Sequence, residues 1–113
     1  MILEGVDLSG KDLTGARMVR VDLSGMDLTG AILRGTDLTN TNLLGINLAG
    51  AKLVGVDLSG MDLTGAILSG AHLNTVDLTE AILTDANLEN AVLSDVNLTD
   101  ATLNCSGHPI CVN

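Results

Sequence analysis

Residues 21–35 read VDLSG MDLTG AILRG, three five-residue units with a leucine at the centre of each. A small or apolar residue stands two places before the leucine, and a hydroxyl or charged residue follows it. The beat runs through Leu3, Leu8, Leu13, Met18 and Leu23 to Leu103, twenty-one pentads in which Met18 alone departs from leucine. Leucines five apart in an α-helix are rotated by roughly 140° from one another and wander round the whole helix. In a flat strand they alternate between core and solvent. Neither element buries them together. A chain in which the leucine and the residue two before it both point inward, followed by a corner, does bury them: each pentad is one side of a polygonal coil. Coils stacked about 4.8 Å apart place leucine on leucine and pair backbone amides between turns. One such unit cannot bury its apolar face, but a stack can.

The units AILRG, ANLEN, VDLSG, MDLTG and VNLTD carry a resemblance to the pentapeptide-repeat family, whose consensus is A-(D/N)-L-x-x. The resemblance implies an all-β fold, a right-handed quadrilateral parallel β-helix with four pentads per coil. Twenty-one pentads then make about five coils, a rod of roughly 25 Å. Residues 1–104 form the repeat domain and 105–113 a C-terminal capping tail.

Composition agrees with a thin coil. The chain has 113 residues, 46% of them hydrophobic, yet Phe, Tyr and Trp are absent. A narrow interior admits a ladder of Leu, Ala, Val and Met and leaves little room for rings. Each buried leucine contributes about 1.5–3 kcal/mol, against the ordering cost of the chain. No apolar run reaches the roughly 20 residues of a membrane span, and Met1 is already in register with the repeat, so no signal peptide is visible. MILEG brings no capping helix. The end of the column around Leu3, Leu8, Leu13 and Met18 is therefore expected to be covered in a homo-oligomer or by residues missing from this chain; a monodisperse monomer in light scattering would count against this.

Residues 16–35 recur nearly intact at 51–70, an offset of thirty-five. That is a multiple of five but not of twenty, so the pentad and not the coil is the unit of register. Up to residue 70 the last pentad position is mostly Gly, which accepts positive φ freely. From Thr75 through Glu80, Asp85, Asn90, Asp95 and Asp100 it never is. Because Thr and Glu resist positive φ, the upper coils are expected to turn with negative φ there.

The tail NCSGHPICVN leaves the beat. Gly107 and Pro109 signal a turn that can bring Cys105 and Cys111 together, so the pair is a candidate disulfide, pinning Ile110 and Val112 over the column as a lid. Two free thiols are the plain alternative. A metal site at Cys105, His108 and Cys111 lacks a fourth ligand nearby in sequence. A disulfide would point to an oxidising compartment, a periplasm or thylakoid-type lumen; reduced thiols would fit the cytoplasm.

The net charge is −9, and all five basic residues, Lys11, Arg17, Arg20, Arg34 and Lys52, lie in the first half. With four pentads per coil, Asp37, Asp57 and Asp77 stack above Arg17 as an acidic ladder, with Glu80 and Asp100 on the neighbouring corner. Carboxylates about 5 Å apart repel by something near 1 kcal/mol even at the dielectric constant of water. A second side presents Ile32, Arg34, Lys52, Val54, His72 and Val92, apolar and basic on an acidic rod, and the first five of these are the candidate partner face. Single exposed apolar residues are ordinary on any surface, and Asp before leucine is also the consensus that solvates such a rod.

Serines and threonines after the leucine lack a positioned histidine, a convex rod is expected to offer no water-excluding cleft, and the repeating glycines are not a phosphate loop. The sequence therefore reads as a non-enzymatic structural or protein-binding module, with no cofactor, no membrane contact and no direct nucleic-acid binding. The alternative comes from the resemblance, since some pentapeptide-repeat proteins protect DNA gyrase from quinolones by imitating the charge spacing of duplex DNA.

Overall fold

A computed structural model of the chain describes residues 6–111. Parallel β-bridges join residues twenty apart: Asp12 to Ile32, Ile32 to Lys52, Lys52 to His72 and His72 to Val92 on one side, with comparable columns on the other three. The bridged residue is the second of each pentad. Four pentads thus complete one coil, and the molecule is a rod with principal extents of 35 × 21 × 20 Å. The long axis exceeds the roughly 25 Å expected of evenly spaced coils.

Each corner is a hydrogen-bonded turn. The first residue of a pentad donates its N–H to the carbonyl of the preceding leucine, as Ala51 does to Leu48 at 3.0 Å and Ala71 to Leu68 at 3.0 Å. The fifth residue has φ near +60° whatever its identity: +65° at Gly50, +60° at Thr75 and at Glu80, and +58° at Asp100. Positive φ at the third of four turn residues is the mark of a type II turn.

The expected change of turn in the upper coils does not occur: Thr75 and Glu80 both sit at positive φ. The ladder decides the conformation. The N–H of Thr75 must reach the Ser94 carbonyl (2.9 Å) and that of Glu80 the Thr99 carbonyl (2.8 Å), as the glycines below do. Left-handed φ costs a non-glycine residue about 1–2 kcal/mol, part of which glycine returns as backbone entropy. Thr75→Gly should therefore stabilise the rod by up to about 1 kcal/mol in urea unfolding. A loss of stability would show that the Thr75 hydroxyl, which donates to the Asn74 carbonyl at 2.6 Å, matters more than its strained backbone.

The first and third residues of each pentad point inward and the second outward. Leu23, Leu28, Leu33, Leu38 and every leucine of the column to Leu88 are buried, with Ala31, Ala51, Ala71 and Ala81 wholly enclosed beside them. Leu8, Leu13 and Met18 below, and Leu93, Leu98 and Leu103 above, are only half-buried. Met1 and Leu3, named above in connection with the lower end, lie outside the described residues, as does Val112 at the upper one.

On two adjacent sides the ladder is interrupted between one coil and the next. Leu33 donates upward to Lys52, and Leu53 to His72, at 2.8 Å each. Gly35, Leu38, Asn40 and Leu43 make no such bond to the coil above, and Asp57 and Asp62 donate nothing to the coil beneath. The other two sides stay joined through Asn47 to Ile67 and Ile32 to Lys52. The gap coincides with Thr36 and Thr41, which take the inward place that Ala, Val, Met or Ile fills in neighbouring pentads. Thr36 is the buried polar residue of the core, and its hydroxyl donates down to the Leu13 carbonyl at 2.9 Å. The Thr41 hydroxyl turns back on Leu38 at 2.8 Å.

Candidate functional site

The mixed column is assembled as the period requires. Ile32, Lys52, His72 and Val92 are bridged in order up one side. Arg34 and Val54 stand at the adjoining corner, where the Arg34 carbonyl accepts from Gly15 at 3.0 Å. Lys52, His72, Arg34 and Val92 are exposed, while Ile32 and Val54 are half-buried. The side thus carries two cationic chains and an imidazole between aliphatic ones.

The acidic column is not continuous. Arg17 is bridged to Asp37, and Asp57 to Asp77 and on to Asn97, but Asp37 and Asp57 are not bridged. The interruption falls between them, so the expected ladder of Asp37, Asp57 and Asp77 is a pair above a gap. That gap also interrupts the otherwise convex surface of the rod. It opens as a cleft of about 660 Å³, lined among others by Thr36, Asp37, Asn40, Asp57, Ser59 and Asp62.

A local motif invisible to the leucine period decorates the rod. Wherever Asp-Leu-Ser or Asp-Leu-Thr occurs among the described residues, Asp Oδ1 accepts both the backbone N–H and the hydroxyl of the residue two places on. For Asp37 these come from Thr39 at 3.0 and 2.6 Å; for Asp57 they come from Ser59 at 2.9 and 2.6 Å. Asn97 holds Thr99 in the same way, at 3.0 and 2.7 Å. These are Asx turns with an added hydroxyl, and the D-L-[ST] spacing was the signal for them. In these turns the Ser and Thr hydroxyls donate to the Asp carboxylate or, at Asn97, to the amide oxygen, and so help to fix the turn.

The hydroxyl first, and then the backbone N–H, hold the Asp7, Asp12, Asp22, Asp27, Asp37 and Asp77 carboxyls below the usual carboxylate pKa; Arg17 adds a smaller push at Asp37. A folded pKa lower than the unfolded one contributes stability above the unfolded value of 3.8, lost as pH falls through the folded value. The melting midpoint should be flat from neutrality to about pH 4 and then fall. With the six aspartates changed to Asn, whose amide oxygen accepts as Asn97 does, the decline below pH 4 should shrink. An unchanged decline would place the acid sensitivity elsewhere.

Cys105 and Cys111 are joined by a disulfide across a separation of six residues, which leaves neither thiolate for a metal. Among the described residues no cluster of three or more His, Cys, Asp or Glu is placed to hold a metal ion. Ile110 packs half-buried against the core together with both cysteines.

The pentapeptide-repeats family profile (8 copies) matches residues 3–35, 31–70 and 71–104. The chain belongs to the pentapeptide-repeat family. No curated protein matches it. Among solved structures, it is similar to a pentapeptide-repeat protein of the Arabidopsis thaliana thylakoid lumen, at 38% identity and TM-score 0.66, covering 86% of this chain and 64% of that one. It is also similar to the pentapeptide-repeat protein Rfr23 of the cyanobacterium Cyanothece 51142, at 36% identity and TM-score 0.46, covering 91% and 65%. QnrB1, a plasmid-mediated fluoroquinolone resistance protein, is matched at 21% identity and TM-score 0.47 over 88% of this chain and 60% of that one. The pentapeptide-repeat chain thus spans somewhat under two thirds of the length of each.

Proposed function

We propose that this pentapeptide-repeat chain is a non-enzymatic structural or protein-binding module, a right-handed coil of about five turns whose mixed side meets a protein partner. The observation that supports this reading is the bridged column of Ile32, Lys52, His72 and Val92 with Arg34 and Val54 beside it. Aliphatic groups rimmed by charge mark protein contact surfaces. The reading needs no cofactor. Among the described residues no helix is long and apolar enough to cross a membrane. The disulfide and the lumenal relative favour an oxidising compartment, a thylakoid-type lumen or a periplasm.

The second reading, a DNA-mimicking inhibitor of a nucleic-acid enzyme such as gyrase, draws on the bridged pair Asp57 and Asp77. Two variants separate the readings. A partner retained from native extract should be lost with R34E/K52E and kept with D37N/D57N/D77N, while gyrase supercoiling proceeds unchanged in the presence of the wild type. Inhibition of supercoiling that disappears with the three Asn changes would replace the first reading by the second.

A further inference from the structure

The interrupted ladder leaves two unpaired strand edges on either side of the cleft. On the lower edge the N–H groups of Leu38, Asn40 and Leu43 make no bond upward; on the upper edge those of Asp57 and Asp62 make none downward. Unpaired strand edges are templates for another chain. We propose that this cleft takes an extended peptide segment bearing basic side chains, which completes the broken ladder through main-chain hydrogen bonds.

The cleft's size, its chemistry and its mounting each support the assignment. A volume of about 660 Å³ lies within the range of sites that enclose a ligand. Asp37, Asp57 and Asp62 line it, and no Lys, Arg or His does. Each of the three uses Oδ1 for its own turn, and among the described residues no protein hydrogen bond reaches Oδ2. Those oxygens are left to accept from ammonium or guanidinium groups. The slot is also held from both sides. The Thr36 hydroxyl ties the lower lip to the coil beneath through Leu13, and the upper lip is bridged upward from Asp57 to Asp77 and from Asp62 to Ile82. The joined sides at Asn47 and Lys52 set the wedge between two stacked blocks. The site is separate from the mixed column and does not depend on that column's role.

The test uses the whole chain and three decapeptides: alternating Lys and Thr, alternating Glu and Thr, and alternating Lys and Pro. The last keeps the positive charge but has no N–H at every second residue. In hydrogen exchange followed by NMR, the amides of Leu38, Asn40, Leu43, Asp57 and Asp62 should exchange at least about tenfold faster than those of Leu33, Leu58 and Leu63, which are bonded upward. The Lys/Thr peptide should slow them. The Lys/Pro peptide should bind at least about tenfold more weakly, and the Glu/Thr peptide not at all. T36V/T41V, which restores aliphatic inward residues, should protect the same amides without peptide and abolish binding. Should that variant fail to fold, D57N/D62N supplies the check, with its turns intact and its affinity for the Lys/Thr peptide reduced. Protection of these amides in the free wild type, no slowing by the Lys/Thr peptide, or equal binding of the Lys/Thr and Lys/Pro peptides would overturn the proposal.

Discussion

Leu68→Ala should destabilise the rod by about 3–5 kcal/mol and lower its melting midpoint by roughly 10 °C or more. Leu68 is 1% exposed, and its column neighbours Leu48 and Leu88 are enclosed to the same degree. Its backbone is bonded to Asn87 above at 2.8 Å, and the neighbouring Ile67 carbonyl accepts from Leu48 below at 2.7 Å. A truncated side chain there cannot be replaced by movement of one coil toward the axis, because the coil spacing is set by the backbone bonds on either side. The cavity persists, which is the condition for the upper part of the range. The same change at Leu8, which is only half-buried against the core, should cost much less. Equal losses at the two positions, measured by urea unfolding, would contradict a column that is fully enclosed at Leu68 and only partly at Leu8.

The second large effect is at the upper end. C105S/C111S should cost about 2 kcal/mol on the chain-entropy model of a short closed loop, and reductant should lower the melting midpoint of the wild type but not of the variant. The tail is seated as well as tethered. Ser106 is bridged to Asn87, and Gly107, at φ +87°, lies so close to the coil below that a Cβ there would be 2.6 Å from the Glu89 nitrogen. Backbone cannot yield as a side chain can, so Gly107→Ala should lift the cap even with the disulfide intact. A midpoint indifferent to reductant would mean that the disulfide closes a loop carrying no part of the cap's stability.

The leucine period made the architecture legible because a five-residue beat satisfies neither helix nor flat strand, and the inward pair of Ala51 and Leu53 follows from it directly. The mixed column was legible for the same reason, since register alone fixes what lies above what, whereas the pairing of Cys105 with Cys111 was legible from the turn at Gly107 and Pro109, off the beat. Three features were not. Thr75 and Glu80 hold positive φ because their N–H groups must meet the coil above, a tertiary demand that local propensity does not contain. The carboxylate turns, such as Asp37 with Thr39, follow a two-residue spacing that is independent of the five-residue period. The break beside Asp57 coincides with Thr36 and Thr41, two hydroxyls at inward positions that the repeat tolerates in sequence and whose hydrogen bonds run down to Leu13 or back to Leu38.

Residues twenty apart stack around a common aliphatic axis, and the most direct measurement of that stacking is the set of NOE contacts in a methyl-labelled sample. Leu48, Leu68 and Leu88 should contact one another in succession, as should Leu53 and Leu73, with amide contacts between Lys52 and His72. Contacts at separations of three and four along the chain, or a column in which alternate leucines give none, would contradict it.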